Sequence, residues 1–121
     1  MDKKQELISI VLPVYNEEQG IETTINTLEN FAANQPQTFE FIFVDDGSTD
    51  RSVELISNQQ AKHNNIRLVE FSRNFGHQLA ITAGIRYTQG EAVVVMDADL
   101  QDPPAVIVDM IDKWHEGYDV V

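Results

Sequence analysis

Short apolar runs alternate four times with segments whose apolar residues recur every three or four positions. Ile8-Ser9-Ile10-Val11-Leu12 reads as a buried strand ended by Pro13, because proline has no N–H to give to a ladder. Ile21, Ile25, Leu28 and Ala32 then fall on one face of a helix, with Asn16 as a candidate N-cap and Gln19 in the capping-box position. Phe39 to Val44 predicts a second strand, stopped by Asp45-Asp46-Gly47-Ser48. Thr49 and Asp50 start a second helix carrying Val53, Ile56 and Gln60-Ala61. Ile66 to Phe71 gives a third strand, and Leu79, Ala80, Ala83 and Tyr87 mark a helix that ends before Gly90. Ala92-Val93-Val94-Val95-Met96 is the most continuous apolar run, hydrophobic on both faces. Pro103 and Pro104 suit the first turn of a helix with Ile107, Met110, Ile111 and Trp114 on its core side, and Asp119-Val120-Val121 reads as the opening of a fifth strand.

Unbroken apolar strands alternating with amphipathic helices predict an α/β protein, Rossmann-like, with a doubly wound and mainly parallel sheet covered by helices on both faces. Such sheets bind ligands at the carboxyl ends of their strands, where the strand order switches. The residues of interest should therefore follow the strands: Pro13-Val14-Tyr15-Asn16-Glu17, Asp45-Asp46-Gly47-Ser48, Ser72-Arg73-Asn74-Phe75-Gly76 and Asp97-Ala98-Asp99. Glu17, Asp45, Asp46, Asp97 and Asp99 would gather at one sheet edge. Their mutual repulsion, several kcal/mol, calls for a positive group among them.

The bulk composition narrows the function. A chain of 121 residues with 42% apolar side chains fits one domain with an ordinary core. Eight basic against twenty acidic residues give a net charge of −12. That surface repels nucleic acid, so no nucleic-acid partner is expected, and it repels a nucleoside diphosphate unless a cation or a local basic group intervenes. With no cysteine, disulfides, thiolate metal sites and cysteine nucleophiles are excluded. The polar stretch Met1 to Leu7 and the short apolar runs after it show neither a signal peptide nor a membrane span. The glycine pattern of dinucleotide-binding folds and the Gly-Lys-Ser/Thr of P-loops are both missing.

Asp97 and Asp99 straddle a small residue at the mouth of a buried strand, where both can face one cation. Together with Gln101 they offer the hard oxygens that suit Mg²⁺ or Mn²⁺. A turn whose acids cap the next helix, Asp102 before Pro103 included, is the plainer reading. Asp45-Asp46-Gly47-Ser48-Thr49-Asp50 has more acids than a cap requires, so one of the pair Asp45/Asp46 is expected to accept from a base N–H or a ribose hydroxyl. Arg73 is the basic group best placed at the ligand edge, for a phosphate contact or a structural ion pair. Tyr15 and Pro13 can stack on a base or close a turn, and His77 reads as a cap or packing residue before it reads as a ligand.

Pro13-Val14-Tyr15-Asn16-Glu17, Val44-Asp45-Asp46-Gly47-Ser48-Thr49-Asp50, Arg73-Asn74-x-Gly76 followed by Ala80 and Gly84, and Met96-Asp97-Ala98-Asp99-Leu100-Gln101-Asp102-Pro103-Pro104 resemble family 2 glycosyltransferases. The branch most resembled is that of dolichyl-phosphate mannose synthase and the bacterial polyprenyl-phosphate glycosyltransferases, and the likeness spans residues 8 to 121. It implies a GT-A fold. Pro13, Tyr15, Glu17 and Asp45/Asp46 would line the nucleoside pocket, with Arg73 and Gly76 as further substrate contacts. Asp97, Asp99 and Gln101 would hold a divalent metal, Mg²⁺ or Mn²⁺, on the diphosphate of a UDP- or GDP-sugar donor. Asp97 and Asp99 would then be the catalytic pair of an inverting displacement onto a lipid-phosphate acceptor. Ala105 stands where the family usually carries Glu.

Catalytic domains of this family continue with acceptor-binding motifs and often with membrane helices. The resemblance therefore implies that residues 1 to 121 are the nucleotide-sugar-binding part of a longer domain, able to bind a donor without transferring its sugar. Membrane contact would come through other parts, with the protein cytoplasmic at the inner face of the cell membrane. An unfinished fifth strand would leave a sheet edge that favours a homo-oligomer. Two other classes share single features. Haloacid-dehalogenase-like phosphohydrolases place Asp-x-Asp after the first strand rather than the fourth. Receiver-like regulatory modules carry an acidic pair but need no Pro-Val-Tyr-Asn-Glu set.

Overall fold

Strands that are apolar on both faces need cover on both sides, and this chain supplies it unequally. The computed structural model describes residues 6–99 and 104–117. The elements run β1 (Leu7–Val14), α1 (Ile21–Ala33), β2 (Thr38–Asp45), α2 (Ser52–Gln60), β3 (Ile66–Glu70), α3 (His77–Arg86), β4 (Ala92–Val95) and α4 (Ala105–His115). The four strands form one parallel sheet in the order β3-β2-β1-β4. Ile8, Ile10, Leu12 and Val14 of β1 and Phe39, Phe41 and Phe43 of β2 pack against Ile21, Ile25 and Leu28 of α1, Leu55 and Ile56 of α2, and Ile107 and Ile111 of α4. On the other face Val11, Ile42 and Val44 meet Ala80 of α3. The chain steps from β1 to β2 to β3 in one direction, then returns past β1 to β4. That reversal puts the α3 crossover on the face opposite α1 and α2, as right-handed connections require.

Several local expectations are corrected. Pro13 lies inside β1, paired with Val44, instead of ending the strand. In a parallel ladder alternate residues bond to opposite neighbours, and Val11 faces β4, its carbonyl accepting from the Met96 N–H at 3.0 Å. Pro13, two residues on, faces the same way. The β1–β4 pairing has already ended at Val11 and Val95, so its missing N–H costs the ladder nothing. Asn16 does not cap α1: Gly20 holds that position without a side-chain bond, and the Glu17 carbonyl accepts from the N–H groups of Gly20 and Ile21. α2 starts at Ser52 rather than at Thr49, with the Asp50 carboxylate accepting from the Ser52 N–H at 2.9 Å.

Leu79 of α3 and Tyr87, at its C-cap, are 53% and 51% exposed, not core-facing. Ala80 and Gly84 make the contact instead. A Cβ on Gly84 would sit 2.4 Å from Val11 Cγ1 and 2.9 Å from Val44 Cγ2, so only glycine lets the helix lie this close. α3 packs over β1 and β2, and Val93 and Val95 of β4, expected to be buried on both faces, stay half-buried on that side. Gln101, Asp102 and Pro103, and the expected strand at Asp119-Val120-Val121, lie outside the described residues.

Candidate functional site

The strand order switches between β1 and β4, and a cleft of about 410 Å³ opens there at the carboxyl ends. β1 and the loop after it contribute Pro13, Tyr15 and Glu17. The end of β2 contributes Asp46, the loop after β3 leads in Asn74, Gly76 and His77, and the turn after β4 brings Asp97 and Asp99. Four separated stretches of sequence therefore meet in one place.

The Asp-Gly-Ser-Thr-Asp segment acts first as a clasp. Asn16 has φ +53°, a left-handed backbone that its short polar side chain makes tolerable. Its N–H donates to Ser48 Oγ at 2.8 Å, and its Oδ1 accepts from the Thr49 N–H at 2.8 Å. Glu17 N–H donates to Ser52 Oγ at 2.8 Å and Glu18 N–H to Asp50 Oδ2 at 3.1 Å. Burial pushes the Asp50 carboxyl up, but bonds from the Ser52 hydroxyl and N–H and from Glu18 outweigh it, and the group lies below the usual aspartate value. Gly47, at φ +77°, lets this loop touch the next: a Cβ there would meet the Arg73 carbonyl carbon at 2.3 Å and the Asn74 nitrogen at 2.4 Å.

The adjacent acids Asp45 and Asp46 are 2% and 4% exposed and do different work. Asp46 accepts from the Phe75 N–H at 2.7 Å and the Gly76 N–H at 3.0 Å, fixing the loop that forms the far wall of the cleft. It also lines the cleft itself. Asp45 accepts from the Ser48 N–H at 3.0 Å through Oδ2, while its Oδ1 is buried without a hydrogen-bond partner. Asp45 is not among the lining residues.

Asp97 and Asp99 are exposed on either side of Ala98, which is 3% exposed and packs in the main core. Burial of the middle residue turns both carboxylates outward to the cleft. Glu17 faces them. Burial pushes its carboxyl above the ordinary value of 4.5, and the charges of Asp99, Asp50 and Asp97 push it further in the same direction. The acid crowding expected from the sequence is therefore present for Glu17, Asp97 and Asp99. Among the described residues no group of three or more His, Cys, Asp and Glu side chains forms a ready metal cage.

Arg73 sits elsewhere. Its Cζ lies 4.6 Å over the Phe75 ring, and it does not line the cleft. The loop alternates, with Arg73 and Phe75 stacked on each other while Asn74 and Gly76 reach the cleft. Asn74, which carries no separate role in the sequence motif, and His77, expected as a cap or packing residue, both line the cleft. The available signal was their position in the stretch that follows β3 at the carboxyl edge of the sheet.

Residues 9–121 match the family described as Glycosyl transferase family 2. The chain is 52% identical over 113 residues to the uncharacterized glycosyltransferase YkcC of Bacillus subtilis (strain 168), covering 93% of this chain and 35% of that relative. It is 38% identical over 117 residues to the undecaprenyl-phosphate 4-deoxy-4-formamido-L-arabinose transferase of Pseudomonas aeruginosa (strain LESB58), covering 96% of this chain and 34% of the relative. It thus spans about a third of the length of the curated relatives it matches. Among solved structures, the mannosyltransferase PcManGT from Pyrobaculum calidifontis, in complex with GDP-Man and Mn²⁺, superposes with a TM-score of 0.70 at 28% identity, over 78% of this chain and 28% of that one. The GT-A expectation for the fold holds in this likeness. Among the described residues no helix is long and apolar enough to cross a membrane.

Proposed function

The chain belongs to glycosyl transferase family 2, and from that premise we propose that its cleft binds the nucleotide-sugar donor of an inverting, divalent-metal-dependent transfer to a polyprenyl phosphate. One observation carries the reading. Buried Ala98 sends Asp97 and Asp99 side by side into a cleft at the switch point, opposite Glu17. Mg²⁺ and closely related ions are usually held by one or two carboxylates, the rest of the shell coming from substrate phosphates and water. A two-carboxylate edge on an acid-crowded cleft fits that habit and leaves room for a diphosphate, while Gln101, the third ligand expected from the resemblance, lies outside the described residues. Bound there, the metal supplies charge neutralisation for the departing nucleoside diphosphate.

The chain's own residues do the rest of the binding. Pro13 and Tyr15 offer a flat, partly apolar wall for the base, and Asp46 holds the opposite wall through Phe75 and Gly76. Asp97 and Asp99 would hold the cation, which would supply the positive charge that a diphosphate needs at this acidic edge. The acceptor class is supported by the relative that acts on undecaprenyl phosphate. A phosphate acceptor is already largely ionised near neutral pH, so the reaction asks little of a general base. With such an acceptor, the working place of the whole protein is the cytoplasmic face of the cell membrane.

A thermal-shift screen tests this, with UDP, GDP, CDP and dTDP, each with Mn²⁺ or with EDTA. Ligand at about 100 times its dissociation constant should stabilise the fold by about 2.7 kcal/mol, and metal and diphosphate should strengthen each other. Asp99→Asn should abolish that coupling while the fold survives. If Asp99→Asn still couples metal to diphosphate as the parent does, the assignment is wrong.

A further inference from the structure

The turn that carries the two aspartates is held from an unexpected direction. Thr24 lies in the first turns of α1, 4% exposed, and its hydroxyl donates to the carbonyl of Ala98 at 2.7 Å, across 74 residues of sequence. A threonine inside a helix can spend its hydroxyl on the carbonyl four residues back. Thr82 in α3 does so, donating to the Gln78 carbonyl at 3.0 Å. For Thr24 that local acceptor would be the Gly20 carbonyl, which takes the ordinary helical bond from the Thr24 N–H at 2.9 Å and has a second lone pair open to such a hydroxyl. Thr24 forgoes the local bond and reaches instead to the middle residue of Asp97-Ala98-Asp99.

We propose that Thr24 is a positioning residue for the donor site: by holding the Ala98 carbonyl, its buried hydroxyl fixes the direction in which the Asp97 and Asp99 carboxylates leave the turn. The last ladder bond on the β1 side of β4 is that of the Met96 N–H to Val11. Beyond it the strand no longer dictates where the side chains point. Two restraints take over at Ala98, its methyl group packed in the core and its carbonyl held by Thr24. With the Ala98 methyl packed and its carbonyl oxygen held, the backbone is restrained on both sides of the Ala98 Cα, so the Cα–Cβ bonds of Asp97 and Asp99 leave the turn in set directions. Groups that orient metal ligands in this way typically change metal affinity about 10- to 100-fold when removed.

The inference rests on the donor-site reading, and its test separates the two. Thr24→Val keeps the β-branched shape and loses the donor; Thr24→Ser keeps the donor. Mn²⁺ affinity in the presence of saturating nucleoside diphosphate should fall about 10- to 100-fold in Thr24→Val and return in Thr24→Ser. Binding of the nucleoside monophosphate without metal should stay within about twofold, which a general loss of structure would not allow. Amide hydrogen exchange over residues 97–99 should quicken in Thr24→Val with or without ligands. Unchanged exchange, or exchange that quickens with no change in Mn²⁺ affinity, overturns the role given to Thr24. A parent that binds no metal with diphosphate overturns the donor-site reading instead, while exchange at the turn still reports whether Thr24 orders it.

Discussion

Asp46→Ala separates an acid that holds a loop from an acid that reads a base. In the folded protein this carboxylate is 4% exposed and accepts from two backbone N–H groups, Phe75 at 2.7 Å and Gly76 at 3.0 Å. Hydrogen bonds to a charged acceptor contribute about 1.5–3 kcal/mol each, so the two together set a gross loss of about 3–6 kcal/mol. Part returns, because alanine no longer buries a charge at a crowded acidic edge. A net loss of about 3 kcal/mol is expected, which for a domain of this size lowers the melting temperature by roughly 10–15 °C. Asp46→Asn keeps one acceptor oxygen but not the charge, and should lose about half as much. Urea melts followed by circular dichroism give the stabilities. Titration of UDP and GDP below the unfolding transition gives the binding. If Asp46→Ala stays within about 0.5 kcal/mol of the parent while nucleotide affinity drops more than about tenfold, the carboxylate serves the ligand and the loop-holding account is refuted.

Two further outcomes follow from the same geometry. Glu17 has its folded carboxyl raised above the ordinary value of 4.5 by burial and by Asp99, Asp50 and Asp97. Its contribution to stability is therefore complete below that value and is lost as pH rises through the raised one. Glu17→Gln should melt higher than the parent at about pH 7 and lose that advantage by about pH 4; a difference that does not change with pH contradicts the crowding. Gly84→Ala places a methyl 2.4 Å from Val11 Cγ1 and 2.9 Å from Val44 Cγ2, and should cost about 1–3 kcal/mol in urea unfolding. A variant as stable as the parent would show that α3 can lift off the sheet freely.

The alternation of apolar runs with helical periodicity determined by itself that this chain is an α/β protein with a parallel sheet, because strands buried on both faces and joined by helices have few other arrangements. It also pointed to the residues that share the cleft. Residues following strand ends are brought to one edge by parallel connection alone, so Tyr15, Glu17, Asp46, Asp97 and Asp99 could be gathered without coordinates.

What periodicity could not carry is any preference that depends on a neighbour distant in sequence. Leu79 and Tyr87 have the size of core residues, yet α3 approaches the sheet through Ala80 and Gly84, because helix-to-sheet distance is set by the smallest residues in the contact. Pro13 remains in β1 only because β4 stops short of it. Arg73 carries the right charge for a phosphate but lies over the Phe75 ring, a contact within its own loop. Most of all, a hydroxyl in the first helix and a carbonyl 74 residues away give no sign of each other in the sequence. A hydrogen bond is decided by a few tenths of an ångström, and only the packed tertiary structure brings Thr24 within that distance of Ala98.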